Sequence, residues 1–518
     1  MSTPWSGDRA GERKSARVGE RKSSPISGRI SAPPSEVLDA QVLRGQFDHE
    51  VANLLPHYVS IEQTLIAEYL RMDILSAADA AALMRALSTV NAESIVADPA
   101  QNFSDIAFAI ERRVVDQLSA VPPRWHLDRS RNDLQATAQR MYARQRLTEI
   151  VEELLAMTTA ALGLADRHPT DPMPGQTHLQ AAQVISPAFW LTALAGETLD
   201  SLTALETTYD RLDRCPLGAG AMAGQELPWD RDLMASALGF RRPEPHALSA
   251  VASRGWALSL TAALSNWGVV LSRFSTDLMT WAGGAHRFVE LPDELAGISS
   301  AMPQKKNYPV LERIRGRTAH LTALHLDAAI GQRNTSYTNL VEVSKEAGAF
   351  LPAALDCASS IAVLMTTVLQ HLRLDTALMR RDCDTDFLGG FTLANLLTQY
   401  GDVPWRTAQV VAGSYVVDRL AADAPPNRTD PATLARLLAE HGRQVTGLGQ
   451  LLDRAFDTGK ALAGKLSAGS TSPTAVAAET DRLREEWSDA TGRWSQRATR
   501  VTGALAATAA SAGGGDSR

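Results

Sequence analysis

Three short polar stretches, far apart along the chain, carry residue types that could bind an anion and move a proton. In Gly297-Ile298-Ser299-Ser300-Ala301-Met302-Pro303-Gln304-Lys305-Lys306-Asn307, two hydroxyls precede Met-Pro, two ammonium groups and an amide. No amphipathic period runs through it, so it reads as a loop feeding a helix with Val310, Leu311 and Ile314 on one face. A polar loop opening onto a helix start attracts anions, because free N–H groups and the helix dipole point at it. Lys305, Lys306 and Asn307 then make it a carboxylate or phosphate site, unless it is simply a solvated basic loop.

The second stretch is His126-Leu127-Asp128-Arg129-Ser130-Arg131-Asn132-Asp133. Ser130 followed by Asp133 reads as a capping-box variant at the start of a long helix, with Arg131 and Asn132 offering donors in its first turn. A well-capped helix with no ligand reads equally well. The third, Pro174-Gly175-Gln176-Thr177-His178-Leu179-Gln180, puts a titratable His178 in a Gly-flanked loop, with Thr177 and Gln180 as a possible capping box. A structural histidine is the plain alternative. A Gly-rich run, Pro216 to Gly224, gives backbone that other elements can approach closely. It lacks the GxxxxGK[ST] order and a preceding strand, which excludes a nucleotide loop.

Taken together, these strings resemble the signature motifs of the fumarase/aspartase superfamily, and its argininosuccinate lyase branch in particular, from about Gly28 to Pro473. The resemblance implies a homotetramer with active sites shared between subunits, releasing fumarate by cleavage of a C–N or C–O bond. It implies that Ser130, Arg131, Asn132 and Thr177 bind the succinyl carboxylates, and that His178 is an acid–base group paired with Glu312. It makes Ser299 the base that takes the Cβ proton. Charge then develops on a carboxylate, which needs preorganised donors; Lys305 and Asn307 match the family positions for this. Arg254, Tyr337 and Lys345 complete the implied substrate-binding set.

Departures from the family pattern cluster on the amine side. His-Thr-Gly has become His126-Leu127-Asp128, and Gln176 replaces a tyrosine. Asp105-Ile106-Ala107 stands for Asp-Ile-His, Tyr58 for an aspartate, Ala252-Ser253-Arg254 for Ser-Glu-Arg and Glu342 for a glutamine. Tyr308 intervenes before the helix-starting Pro309.

The elements that must carry these motifs read as long helices. Leu147, Ile150, Val151 and Leu154 repeat at helical steps, and Leu260, Leu264, Trp267, Leu271, Phe274 and Leu278 form a packing seam. Segments near 130–167, 186–214, 247–282, 310–331 and 338–371 are expected to be helical and to bundle. The fold class is therefore all-α, an elongated bundle of the fumarase/aspartase type with smaller helical end domains. The division runs 1–25 disordered tail, 26–126 N-terminal helical domain, 127–373 central bundle with the motifs, 374–470 C-terminal helical domain, and 471–518 terminal helix and tail, fraying after about Gly503.

With 518 residues and a net charge of −7, no basic excess suggests nucleic acid. The first 25 or so residues lack an apolar run, and the apolar stretch Leu260–Met279 carries Arg273 and Asp277, so neither a signal peptide nor a membrane span is expected. Three cysteines without a CxxC pair suit the cytoplasm. The eleven histidines show no metal-ligand spacing, and no cofactor motif occurs, so the expectation is metal: none and no cofactor. The leading reading is a C–N lyase acting on an N-succinyl amino compound, by anti elimination or the reverse amine addition to fumarate. Authentic argininosuccinate lyase is the alternative, followed by a crystallin-like non-catalytic protein and a helical interaction module.

Overall fold

The computed structural model describes residues 29, 30 and 32–513, with side chains to residue 510. The disordered tail expected over 1–25 lies outside these residues. The chain divides into two compact units, 1–127 with 508–518, and 128–507. In the first, helices Leu55–Arg71, Ala77–Leu87 and Ile106–Val115 bury Tyr58, Ile61, Leu65, Tyr69, Leu83 and Ile110. Asp105 caps the last of these, accepting from the N–H of Ala107 and Phe108.

The second unit holds the long helices. The helix α1 (Arg131–Ala165) is followed by a hairpin, β1 (Met173–Thr177) and β2 (Gln180–Ile185), and by α2 (Pro187–Leu212). A short α3 (Ala247–Ala252) precedes α4 (Gly255–Ala282), α5 (Pro309–Gln332) and α6 (Leu351–His371). The chain ends in α7 (Pro473–Gly513), continuous past Gly503, where the Ala/Gly/Ser composition suggested fraying. Helix α1 packs on α2 and α6, and α4 packs on α5. The α4 seam is real: Leu260, Leu264, Trp267, Leu271 and Leu278 are all buried. Pro187 and Pro309 each open a helix in the first turn, where the missing N–H costs nothing. The fold is thus all-α apart from two-residue strand pairs and the one hairpin.

Two expected helices are interrupted. The 247–282 segment breaks at Ser253-Arg254, and the 338–371 segment contains a π-helical turn, Glu342–Glu346, and an irregular turn at 347–350 before α6. Among the described residues, the helical stretch Glu342–His371 is the one long and apolar enough to cross a membrane. It packs instead on α1 and α5 through Leu355, Ala358, Ile361 and Met365. Helices between Thr376 and Ala463 form a separate core around Leu393, Leu397, Val411, Tyr415, Leu434 and Leu452.

Polar groups lock α1 in place. Arg144 is fully buried; it donates to Asp213 (3.2 Å) and to the carbonyls of Leu238 (2.8 Å) and Gly239 (2.8 Å), and lies over the Phe240 ring. Arg500 of α7 reaches the same Asp213. One turn earlier, Arg140 donates to Glu244 (3.0 Å) and the Arg214 carbonyl (2.7 Å). Removing Arg144 leaves Asp213 paired with Arg500 but strands the buried carbonyls of Leu238 and Gly239, at about 1–3 kcal/mol each. Arg144→Met should therefore lower unfolding free energy by about that much, read from urea midpoints; a loss below about 1 kcal/mol would contradict the buried-network account.

Candidate functional site

The start of α1 is held by side-chain hydrogen bonds from Ser130, Asn132 and Asp133. Ser130 caps the helix, its Oγ accepting from the Asn132 N–H at 3.2 Å. Asp133 does not turn back to complete a capping box. Its Oδ2 accepts from the N–H groups of Gly218 and Gly220, both at 3.0 Å, and so seats the Gly-rich run on the helix. Asn132 adds a bond to the Ala221 carbonyl (3.0 Å). Both glycines have positive φ, and a Cβ at Gly220 would lie 2.5 Å from the Gly224 carbonyl oxygen, so the loop cannot take this shape with side chains there.

Asp128 explains the first departure from the family string. Its φ is +59°, backbone that favours glycine, and its carboxylate accepts from the N–H of Glu226 and Leu227 and from Trp229 Nε1. The residue that breaks the motif thereby fastens the continuation of the Gly-rich run. Those bonds outweigh burial and hold the Asp128 carboxyl below its ordinary range.

Thr177 and His178 stand on a hairpin rather than at a helix start. Thr177 pairs with Gln180, so the expected capping box is instead the last register of β1–β2. The two-residue turn is His178-Leu179, with φ of +54° and +61°, the left-handed pair of a type I′ turn. That turn prefers Asn-Gly; holding two non-glycine residues there costs of order 1–3 kcal/mol each. Both side chains are exposed.

The Ser299 loop is pinched at its neck. Gly297 and Asn307 exchange backbone hydrogen bonds (2.8 and 3.0 Å), and residues 298–306 project from that bridge. A Cβ on Gly297 would lie 2.9 Å from the Pro309 ring, so the displaced proline packs under the neck. Within the loop, Ser299 Oγ accepts from the Met302 N–H at 3.0 Å. The two lysines have separated roles. Lys306 is held by Glu290 (3.1 Å) and Asp293 (2.9 Å), which raises its pKa, whereas Lys305 is exposed and makes no ion pair among the described residues. Ile298, beside the neck, is 93% exposed. Glu312 is exposed on the first turn of α5.

Arg254 and the π-turn that carries Lys345 both meet α1 at Gln139, while Tyr337 meets α3. Arg254 is buried; its Nε donates to Gln139 of α1 (3.1 Å) and its Nη1 to the carbonyls of Val251 and Ser253. Among the described residues it makes no ion pair, and burial, with Arg140 nearby, lowers its pKa to about 10. Its Nη2 is buried without a partner. Gln139 also donates to the Ser344 carbonyl (2.8 Å) in the π-turn that carries Glu342 and Lys345. Tyr337 is mostly exposed, its hydroxyl 3.2 Å from Ser249 of α3. Of the altered positions, Ala252 is buried in this unit and Tyr58 in the first.

Sequence reasoning missed the partners of Asp133, Asp128 and Lys306, and missed Gln139 and the π-turn altogether. Polar residues at i, i+4 on a buried helix face (Gln135, Gln139) are a signal that could have flagged the α1 contact. In a single chain, Ser130, Thr177, His178, Ser299, Lys305, Asn307 and Glu312 make no hydrogen bond or ion pair with one another across the three motifs. Among the described residues no group of three or more His, Cys, Asp or Glu side chains could hold a metal.

The chain matches the family described as Lyase over residues 28–321. It is 31% identical to an argininosuccinate lyase of Rhodococcoides fascians over 402 residues, which are 76% of this chain and 79% of that one. An argininosuccinate lyase of Aquifex aeolicus is 35% identical over 321 residues, 61% of this chain and 68% of the other. Among solved structures, an EDDS lyase variant with bound fumarate superposes with a TM-score of 0.82 at 21% identity, covering 94% of this chain and 97% of that one, a likeness of fold.

Asp133 gives the site a measurable pH signature. Burial pushes its carboxyl up to about 7, against the pull of the two glycine N–H groups and Arg129. A folded-state pKa above the unfolded one means the fold binds the proton more tightly. That stabilisation is complete below about pH 4 and is lost as pH rises through about 7, at up to about 1.4 kcal/mol per unit. Asp133→Asn keeps a carbonyl acceptor for the glycines but does not ionise. Urea midpoints from pH 5 to 8 should fall more steeply for the wild type than for Asp133→Asn; parallel profiles would contradict the assignment.

Proposed function

The chain belongs to the argininosuccinate lyase-like branch of the fumarase/aspartase superfamily, and on that premise we propose that it eliminates fumarate from an N-succinyl amino compound other than argininosuccinate. At the coarser level it is a carbon–nitrogen lyase that generates fumarate. Catalysis needs a base for the Cβ proton, donors for the carboxylate on which charge develops, and an acid for the departing nitrogen. As the C–N bond breaks, its electrons stay with nitrogen, which takes a proton, while the C–H electrons become the new double bond.

The observation that carries this reading is the loop geometry around Ser299. A serine is a poor base unless its alkoxide is stabilised, and the Met302 N–H already donates to its Oγ. Lys306 is neutralised by Glu290 and Asp293, which leaves Lys305 as the loop's available ammonium. We assign Ser299 as base, Lys305 and Asn307 as donors to the succinyl carboxylate, and Ser130, Arg131, Asn132 and Thr177 as its further partners. His178 at the strained hairpin apex, steered by Glu312, serves the amine side; strain of this kind is found at working sites. Arg254, Tyr337 and Lys345 line the substrate on the amine side. There Glu342 supplies a carboxylate for a cationic partner, while Ala252 removes a hydroxyl that arginine would use; Tyr58, in the first unit, likewise replaces an acidic group of the family.

Because the three motifs make no hydrogen bond or ion pair with one another within one chain, we assign a homotetramer whose sites combine loops from different subunits. The three cysteines are free and the reading places the enzyme in the cytoplasm.

Ser299→Ala should reduce turnover by about a hundredfold to ten-thousandfold with fold and assembly intact. Near-wild-type turnover would remove Ser299 as the base. Co-refolding Ser299→Ala with His178→Asn should restore activity, since mixed tetramers contain sites with both residues intact. A fully active monomer in light scattering would overturn the shared-site assignment. The amine itself is sought by incubating fumarate with a panel of amines and detecting adducts by mass spectrometry; basic or amine-bearing partners should score.

A further inference from the structure

Gln139 lies on α1 between two elements of the amine side. Its Oε1 accepts from Arg254 Nε at 3.1 Å, and its Nε2 donates to the Ser344 carbonyl at 2.8 Å. A guanidinium can only donate and a carbonyl can only accept, so the amide has one possible orientation, and both of its ends are used. Glutamate could serve Arg254 but would set a negative oxygen against the Ser344 carbonyl; leucine could serve neither. Gln135, one turn earlier, makes only a long contact of 3.5 Å to the same carbonyl.

The Ser344 carbonyl belongs to the π-turn Glu342–Glu346, which closes through the Ala347 N–H to the Glu342 carbonyl (2.8 Å). The wider turn changes where side chains point compared with an α-helix, leaving Glu342 exposed and Lys345 half-buried. Beyond it the chain is irregular over 347–350, so the turn has no regular helix immediately behind it. Gln139 ties it to the rigid helix whose first turn carries Ser130, Arg131 and Asn132.

We propose that Gln139 is a positioning residue that sets which amine the enzyme accepts, by fixing the π-turn that presents Glu342 and Lys345 and, with the same amide, the buried Arg254. The inference rests on the lyase reading above. It deepens that reading by placing amine selection in a contact between α1 and a π-turn, separate from the residues that hold the fumarate half.

The test uses the full-length enzyme, Gln139→Leu and Gln139→Glu, in the direction of amine addition to fumarate. Losing one such hydrogen bond should raise KM for the amine by about tenfold in both variants, with KM for fumarate within about twofold of wild type. Hydrogen exchange should quicken at 342–350 and stay unchanged in the Ser299 loop. Gln139→Glu keeps an acceptor for Arg254, so a shared amine defect points to the π-turn contact, and this milder variant stands in if the leucine variant fails to fold. Equal rises in both KM values, or unchanged exchange at 342–350, overturn the proposal while leaving the lyase reading in place. A wild-type enzyme that joins fumarate to no amine in the panel overturns the lyase reading and this proposal with it.

Discussion

The contact on which the site's architecture depends is the single carboxylate oxygen of Asp133 receiving the N–H groups of Gly218 and Gly220. It fastens a loop from the far end of α2 to the first turn of α1, beside the Ser130 cap. Being buried, the carboxylate is only worth holding there if both N–H groups meet it, and they reach it only because the loop adopts glycine backbone. Arg140 and Arg144, about two and three turns further on, tie the same helix to Arg214, Glu244, Asp213, Leu238 and Gly239, with Arg500 of α7 on the same Asp213. The first four turns of α1 are thus heavily cross-tied, and the residues proposed to hold the succinyl group sit at their edge.

The other two motifs are built on the opposite principle. His178 sits at the apex of a two-residue hairpin turn, and Ser299 in a loop gripped only at its neck by the Gly297–Asn307 bridge. The His178 side chain is exposed, and Ser299 is half-buried within its own loop, its Oγ accepting from the Met302 N–H. A site that joins one rigid, cross-tied partner with two projecting ones can exclude water and align groups only when the pieces are brought together. Proposed sharing between subunits supplies that step.

Much of the fold was legible because long helices announce themselves by apolar spacing; the Leu260 to Leu278 seam is buried as its period required. The Ser130 cap was readable for the same local reason. What failed depended on non-local partners. Ser130 and Asp133 fit a capping box, yet Asp133 serves a loop some eighty-five residues away, a separation no local pattern encodes. Thr177 and Gln180 also fit a box, but the strand pairing that overrode it comes from the hairpin as a whole. The π-turn at Glu342 and the break at Ser253-Arg254 lie inside segments whose apolar period continues through them, so periodicity could not reveal them. The catalytic strings themselves were visible as residue types, and their roles came from resemblance rather than from spacing.

The central claim is that the fumarate half of the site is kept while its amine half is changed. Arginine brings an α-amino group, an α-carboxylate and a guanidinium, and each polar group left unpaired in a closed site costs roughly 1–3 kcal/mol. The most direct measurement is fumarate release from argininosuccinate, followed by ultraviolet absorbance with the purified wild-type enzyme. The account predicts kcat/KM at least about a hundredfold below the usual enzyme range, which begins near 10⁴ M⁻¹s⁻¹. Efficient cleavage, at about 10⁴ M⁻¹s⁻¹ or above, would contradict it and make this an arginine-forming enzyme.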